Sequence, residues 1–139
     1  MISYPAVLSR DSDDTIVVEF PDLPGCITYG LSKENAIKMG REALTGYLAS
    51  VLDRALEVNA PSDRKGADVV RIEPEPSVAF ALWLRRARSL AGLSQGEVAS
   101  RLGVKYQVYQ RLEDPSKANP TLKTIVRLEK VFGKRLLTV

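Results

Sequence analysis

The 139-residue chain contains no histidine. That excludes histidine-based triads, histidine general bases and the usual zinc sites. A single cysteine, Cys26, allows no internal disulfide and suits a reducing, cytoplasmic setting. No apolar run approaches the ~20 residues a membrane-spanning helix needs, so no membrane partner is expected. The opening MISYPAVLSRDSDD lacks the basic start and apolar stretch of a secretory signal. There is no glycine-rich phosphate loop, internal repeat or low-complexity segment. Neither a metal nor any other cofactor is expected.

What is present is an ordinary hydrophobic content of 45%, ample for packed cores. The net charge of +3 hides a sharp imbalance. Residues 1–76 carry 8 Lys/Arg against 13 Asp/Glu, a balance of −5; residues 77–139 carry 12 against 4, a balance of +8. Such asymmetry points to different partners for the two halves, the basic one favouring nucleic acid. Glu73-Pro74-Glu75-Pro76 lies between them. The expected organisation is a domain over 1–74, a short stiff linker at 75–76 and a second domain over 77–139.

The first half reads as an α+β fold, a small antiparallel sheet with one long helix. Residues 2–8 place Ile2, Tyr4, Ala6 and Leu8 on one face of a strand; residues 15–20 do the same with Ile16, Val18 and Phe20. The polar run Arg10-Asp11-Ser12-Asp13-Asp14 makes the pair a hairpin. Pro21-Asp22-Leu23-Pro24-Gly25 is a second turn, 26–29 a third strand ended by Gly30, and 67–72 a strand returning to the sheet. A helix is predicted over 32–56 behind Ser32 as N-cap. Its stripe is Ala36, Met39, Gly40, Ala43, Leu44, Tyr47, Leu48, Val51, Leu52 and Ala55.

The second half is all helix. A helix over 77–90 offers Val78, Ala81, Leu82, Leu84 or Arg85, and Leu90 for packing, while Trp83 packs or sits in an interface. In LSQGEVASRLGVKYQVYQRLED, residues 93–114, Ser94 and Glu97 have capping-box spacing. Val98, Ala99 and Leu102 share a face, and Gly103 suits a left-handed cap. A second short helix follows, with Val104, Val108 or Tyr109, and Leu112 inward. Two short helices around a glycine turn form the unit whose second helix enters a DNA major groove. Lys105 occupies the second helix's cap position without a capping hydroxyl, and Gly96 lowers the stability of the first helix slightly. The last helix opens at Asn119-Pro120 with proline in its first turn, buries Leu122, Ile125, Val126, Leu128 and Phe132, and closes at Gly133. Residues 135–139 form a possible terminal strand; Trp83 and residues 136–139 are candidates for self-association.

Lys105, Tyr106, Gln107, Gln110 and Arg111 lie off the apolar face of the second helix and are candidate DNA-reading residues. Glutamine matches adenine bidentately, and arginine or lysine matches guanine. Gln95, at the start of the preceding helix, is placed to meet a phosphate, and Lys117 and Lys123 to neutralise flanking ones. The bland alternative is a solvated helix face. Asp11, Asp13, Asp14, Glu19 and Asp22 raise the idea of a metal-dependent nuclease. Three of them share one turn, however, and turns favour aspartate for backbone reasons alone. An acidic surface that docks a basic protein is the better functional use. Cys26 reads as a buried strand thiol and Tyr47 as core.

The runs FPDLPGCITYG (20–30) and KENAIKMGREAL (33–44) resemble the N-terminal signature of HicB antitoxins. Residues 93–113 with NPTLKTIVRLEKVFG (119–133) are similar to the DNA-binding domain of phage-type repressors. Together these resemblances cover nearly the whole chain. They imply a reduced ribonuclease H-like N-terminal domain without a nuclease site, which binds HicA, a small basic mRNA-cutting toxin. They imply a C-terminal domain that binds operator DNA and represses the operon. Asp11, Asp13, Asp14 and Asp22 are then the candidate toxin-binding residues. The expected protein is an antitoxin and autorepressor, not an enzyme, that self-associates as a homodimer or tetramer on a partly palindromic operator. The alternatives are a plain transcriptional repressor whose first domain only oligomerises or senses a ligand, and the nuclease.

Overall fold

The structure, a computed structural model, describes residues 2–136. The chain divides into two compact units, Ile2–Glu75 and Pro76 onward, taken here one at a time. The first is α+β and the second all-α.

In the first unit, strands β1 (Tyr4–Arg10), β2 (Ile16–Glu19), β3 (Ile27–Gly30) and β4 (Val69–Ile72) form one antiparallel sheet in the order β3-β2-β1-β4. Helix α1 (Lys33–Asp53) packs on it. β1 begins two residues later than the alternation suggests; Tyr4 and Ala6 are fully buried, Leu8 half-buried, and Ile2 precedes the strand. Ile16, Val18 and Phe20 are buried as their spacing predicts. The β1–β2 turn closes with the Asp11 N–H donating to the Thr15 carbonyl at 2.8 Å. Asp13 accepts from the Thr15 hydroxyl at 2.7 Å, and that bond holds its carboxyl below the ordinary value. The aspartates there serve the turn itself.

Ser32 caps α1 by accepting from the Asn35 N–H at 3.0 Å, while the Asn35 side chain accepts from the Leu31 N–H at 3.0 Å. Asparagine thus reaches one residue beyond the N-cap N–H that glutamate would engage in a capping box. Ala36, Gly40, Leu44, Leu48 and Val51 form the buried stripe. Two glycines set how closely the helix approaches. A Cβ on Gly40 would lie 2.8 Å from Ile72 Cδ1, and one on Gly30 would lie 2.5 Å from the backbone of Ala36. The helix ends at Asp53, short of the predicted 56, because Ala55 turns into left-handed backbone at φ 52. Cys26 is buried just before β3, and burial pushes its thiol up to about 11.

The joint read as a short stiff linker is bonded to α1 at Glu73 and Glu75. Arg41 Nε donates to the Glu73 carbonyl at 3.1 Å, and the Glu75 N–H donates to Thr45 Oγ1 at 3.0 Å. Pro76 is the first residue of α2 (Pro76–Ala91) rather than part of a linker. Proline is tolerated there because a first-turn N–H has no acceptor within the helix.

The second unit adds α3 (Gln95–Leu102), α4 (Tyr106–Leu112) and α5 (Leu122–Phe132). Phe80, Leu84, Val98, Ala99, Leu102, Tyr109, Ile125, Leu128 and Leu136 form its core. Trp83 packs against that core, with its ring centroid 6.2 Å from those of Phe80 and Phe132. Leu136, a candidate for self-association, is buried in the core instead, and its N–H donates to Glu129 at 2.7 Å. Residues 137–139, the rest of the possible terminal strand, lie outside the described residues. Leu90 and Leu122, expected inward, are 72% exposed, and Val126 is exposed too. Of the predicted face, α5 does bury Ile125 and Leu128, with Phe132 partly buried against the core, and Thr121 caps the helix by accepting from the Thr124 N–H. Pro120 therefore stands before the cap, not in the first turn. Among the described residues no helix is long and apolar enough to cross a membrane.

Candidate nucleic-acid interface and acidic surface

The helix-turn-helix is built from its caps inward. Ser94 accepts from the Glu97 N–H at 3.1 Å, and Glu97 accepts from the Ser94 N–H at 3.2 Å. The bonds from Ser94 keep the Glu97 carboxyl below its usual range. Gly103 closes α3 at φ 72, where a Cβ would strain the backbone. The Arg127 guanidinium donates to the Leu102 carbonyl, covering one of the acceptors left at the end of α3. Lys105 is the N-cap of α4 and makes no side-chain capping bond, as its identity predicts.

Behind α4 lies a polar cluster centred on Glu113, whose side chain is 7% exposed. Arg88 grips it bidentately, Nε to Oε2 at 2.7 Å and a terminal nitrogen to Oε1 at 3.0 Å. The Tyr109 hydroxyl donates to Oε2, and Gln95 Nε2 donates to Oε1 at 3.2 Å. Arg88 also donates to the Leu93 carbonyl at 3.1 Å. The bond to Glu113 raises the Arg88 pKa further above neutral. Tyr109 is also shifted up, chiefly by burial and then by its bond to Glu113. Both groups therefore hold their protons at neutral pH, and one carboxylate ties α2, α3 and α4 together.

The structure brings Lys105, Tyr106, Gln107, Gln110 and Arg111 together, all exposed on α4 or at its cap. Tyr109 takes the inward place left open between it and Val108, and Val108 is 47% exposed. Periodicity does not separate neighbours on so short a helix, and the structure places the apolar Val108 on the outer surface. Gln95 differs from expectation. Its amide is engaged at both ends, donating to Glu113 and accepting from the Tyr106 hydroxyl at 3.1 Å. Gln95 thus orients Tyr106 and does not extend freely toward a phosphate. Lys117 is exposed in the turn after α4 and Lys123 near the start of α5.

Of the acidic candidates, Asp11, Asp13 and Asp14 share the exposed β1–β2 turn. Asp22 does not join them. Its carboxylate accepts from the Ser62 N–H at 2.8 Å and its carbonyl accepts from Asn59 at 2.9 Å, so it anchors the 59–62 loop. Among the described residues no cluster of side chains suited to a metal is gathered.

A capped helix-turn-helix with polar and cationic side chains on its second helix, carried behind a small α+β unit, defines a two-part DNA-binding regulator. Residues 84–138 match the family model of the helix-turn-helix, and residues 4–77 match that of the HicB-like antitoxin of bacterial toxin–antitoxin systems. The chain belongs to the HicB-like antitoxin family. Antitoxin HicB 1 of Photorhabdus laumondii is 28% identical over 133 residues, 96% of this chain and 83% of the relative. Antitoxin HicB 2 of the same organism is 29% identical over 133 residues, 96% and 92% of the two chains. The crystal structure of the Burkholderia pseudomallei antitoxin HicB aligns at a TM-score of 0.48 and 23% identity, over 56% of this chain and 67% of that one. The family is one of regulatory proteins, not enzymes, and the nuclease alternative is set aside with it.

Proposed function

We propose that this chain neutralises a cognate HicA-type, mRNA-cleaving toxin through its N-terminal unit and represses its own operon through its C-terminal unit. The observation that carries this reading is the union, in one chain, of a HicB-like unit with a helix-turn-helix unit. Their charge balances of −5 and +8 suit the two tasks. A negative surface speeds and orients association with a basic toxin, and a positive one gains from counterion release on DNA. Stoichiometric binding at residues 1–75 occludes the toxin, and residues 76–139 bind the operator.

In this reading Lys105, Gln107, Gln110 and Arg111 reach base edges or phosphates, Tyr106 and Val108 offer apolar contact to thymine methyls, and Lys117 and Lys123 neutralise phosphates. Gln95 holds Tyr106 in place. The protein acts in the cytoplasm as a homodimer, or a pair of dimers, on half-sites ~10 bp apart. Toxin binding alters operator affinity through oligomeric state; equal operator affinity with and without saturating toxin would refute that coupling.

The test is to co-express the full chain with the product of the adjacent short reading frame, then to repeat with residues 1–75. Restored growth and co-purification in both support toxin binding by the acidic unit. If the full chain neither binds nor rescues, what remains is an operator-binding repressor, and the antitoxin reading is overturned.

A further inference from the structure

The two edges of the N-terminal sheet are finished differently. On the edge strand β4 stands a charged residue, Arg71, whose guanidinium donates to the Ser62 carbonyl at 2.7 Å and the Ser3 carbonyl at 2.8 Å. The β3 edge, of sequence ITYG, has neither charge nor proline to blunt it. Its pairing with β2 runs from Ile16↔Gly30 to Glu19↔Ile27, and the Phe20 N–H donates to the Cys26 carbonyl beyond. Antiparallel strands turn alternate residues toward the partner, so Cys26, Thr28 and Gly30 face β2. Ile27 and Tyr29 then direct their N–H and C=O groups off the open edge. Their side chains are 56% and 64% exposed, and Leu31 beside them is 79% exposed.

An acidic fringe, interrupted by the exposed Arg10 and Lys33, flanks this strip. Glu19 pairs with Ile27, and the Asp11–Asp14 turn adjoins the end where Ile16 meets Gly30. Glu34 lies exposed in the first turn of α1. We propose that β3 is the docking strand for a basic protein that adds a β-strand to this sheet, anchored by Ile27, Tyr29 and Leu31. Main-chain pairing supplies affinity, alternate side chains supply specificity, and the carboxylates select positive charge. A second copy of this chain would bring the same acidic fringe and meet like-charge repulsion. The inference deepens the antitoxin reading and rests on it, with the toxin as the basic partner.

The test uses the full chain and the product of the adjacent short reading frame. In their complex, the amides of Ile27 and Tyr29 are expected to exchange about tenfold slower or more. Combining Ile27→Lys with Tyr29→Lys is expected to weaken binding about tenfold or more while leaving the melting temperature in place. If the complex forms but those amides exchange as before, the edge assignment is overturned and the antitoxin reading stands. If the unaltered chain does not bind, both fall. Concentration-dependent protection in the chain alone, unchanged by the partner, would make β3 a contact between copies and overturn the proposal. Should the lysine variant unfold, exchange in the unaltered chain decides the matter.

Discussion

Replacing Glu113 with alanine should destabilise the C-terminal unit more than any change to its exposed helix surface. The substitution removes the acceptor of four hydrogen bonds, two from Arg88 and one each from Tyr109 and Gln95. Tyr109 is fully buried, and an orphaned buried hydroxyl costs about 1–3 kcal/mol. A fully buried ion pair broken on one side costs about 3–5 kcal/mol. Here the Arg88 side chain is 21% exposed and keeps its bond to Leu93, so only part of that applies. The combined loss is about 2–4 kcal/mol, a fall in Tm of roughly 10–25 °C for a unit of this size. Trp83, the only tryptophan, packs on this core, so its fluorescence reports the unit's unfolding in a urea or thermal series. Tyr109→Phe should cost about 1 kcal/mol, since Arg88 and Gln95 still engage the carboxylate. A Glu113→Ala transition shifted by less than about 0.5 kcal/mol would refute the reasoning, because that is the scatter of ordinary surface substitutions.

Other outcomes follow from single residues. Gly30→Ala should destabilise the N-terminal unit by about 1–3 kcal/mol in denaturant melts, because the new Cβ would lie 2.5 Å from rigid backbone of α1. Cys26, raised to about 11 when folded, keeps its proton where the unfolded thiol loses it, so stability is full below about pH 8.5 and falls as pH rises toward 11. Cys26→Ala should flatten that alkaline slope in urea melts at stepped pH. On a selected operator, Gln110→Ala should cost about 1–3 kcal/mol and relax preference at one base pair, while Lys117→Ala should weaken all sites alike and lower the salt slope by about 1. Paired filter-binding series over salt and sequence check both.

Local signals survived into the fold wherever one residue's own chemistry sufficed. Ser94 and Glu97 cap α3 reciprocally, Gly103 and Gly133 take left-handed backbone, and Ile16, Val18 and Phe20 point inward. Boundaries moved where a neighbouring choice intervened, as when Ala55 ended α1 early or Thr121 claimed the cap that shifted α5 past Pro120. Glu113 shows the largest gap. In the sequence it is only a carboxylate at the end of a helix, and its partners Gln95 and Arg88 lie 18 and 25 positions away.

The sequence by itself determined the two-part organisation, the helix-turn-helix and the division of charge, because caps, alternation and composition are properties of near neighbours. Packing decided that Tyr109 turns inward and Val108 outward, and that Leu90, Leu122 and Val126 stay exposed. It also engaged Gln95 and Asp22 internally and left β3 as an open apolar edge. Each of these depends on which distant elements cover a face or complete a hydrogen bond, and periodicity along one segment carries no record of that.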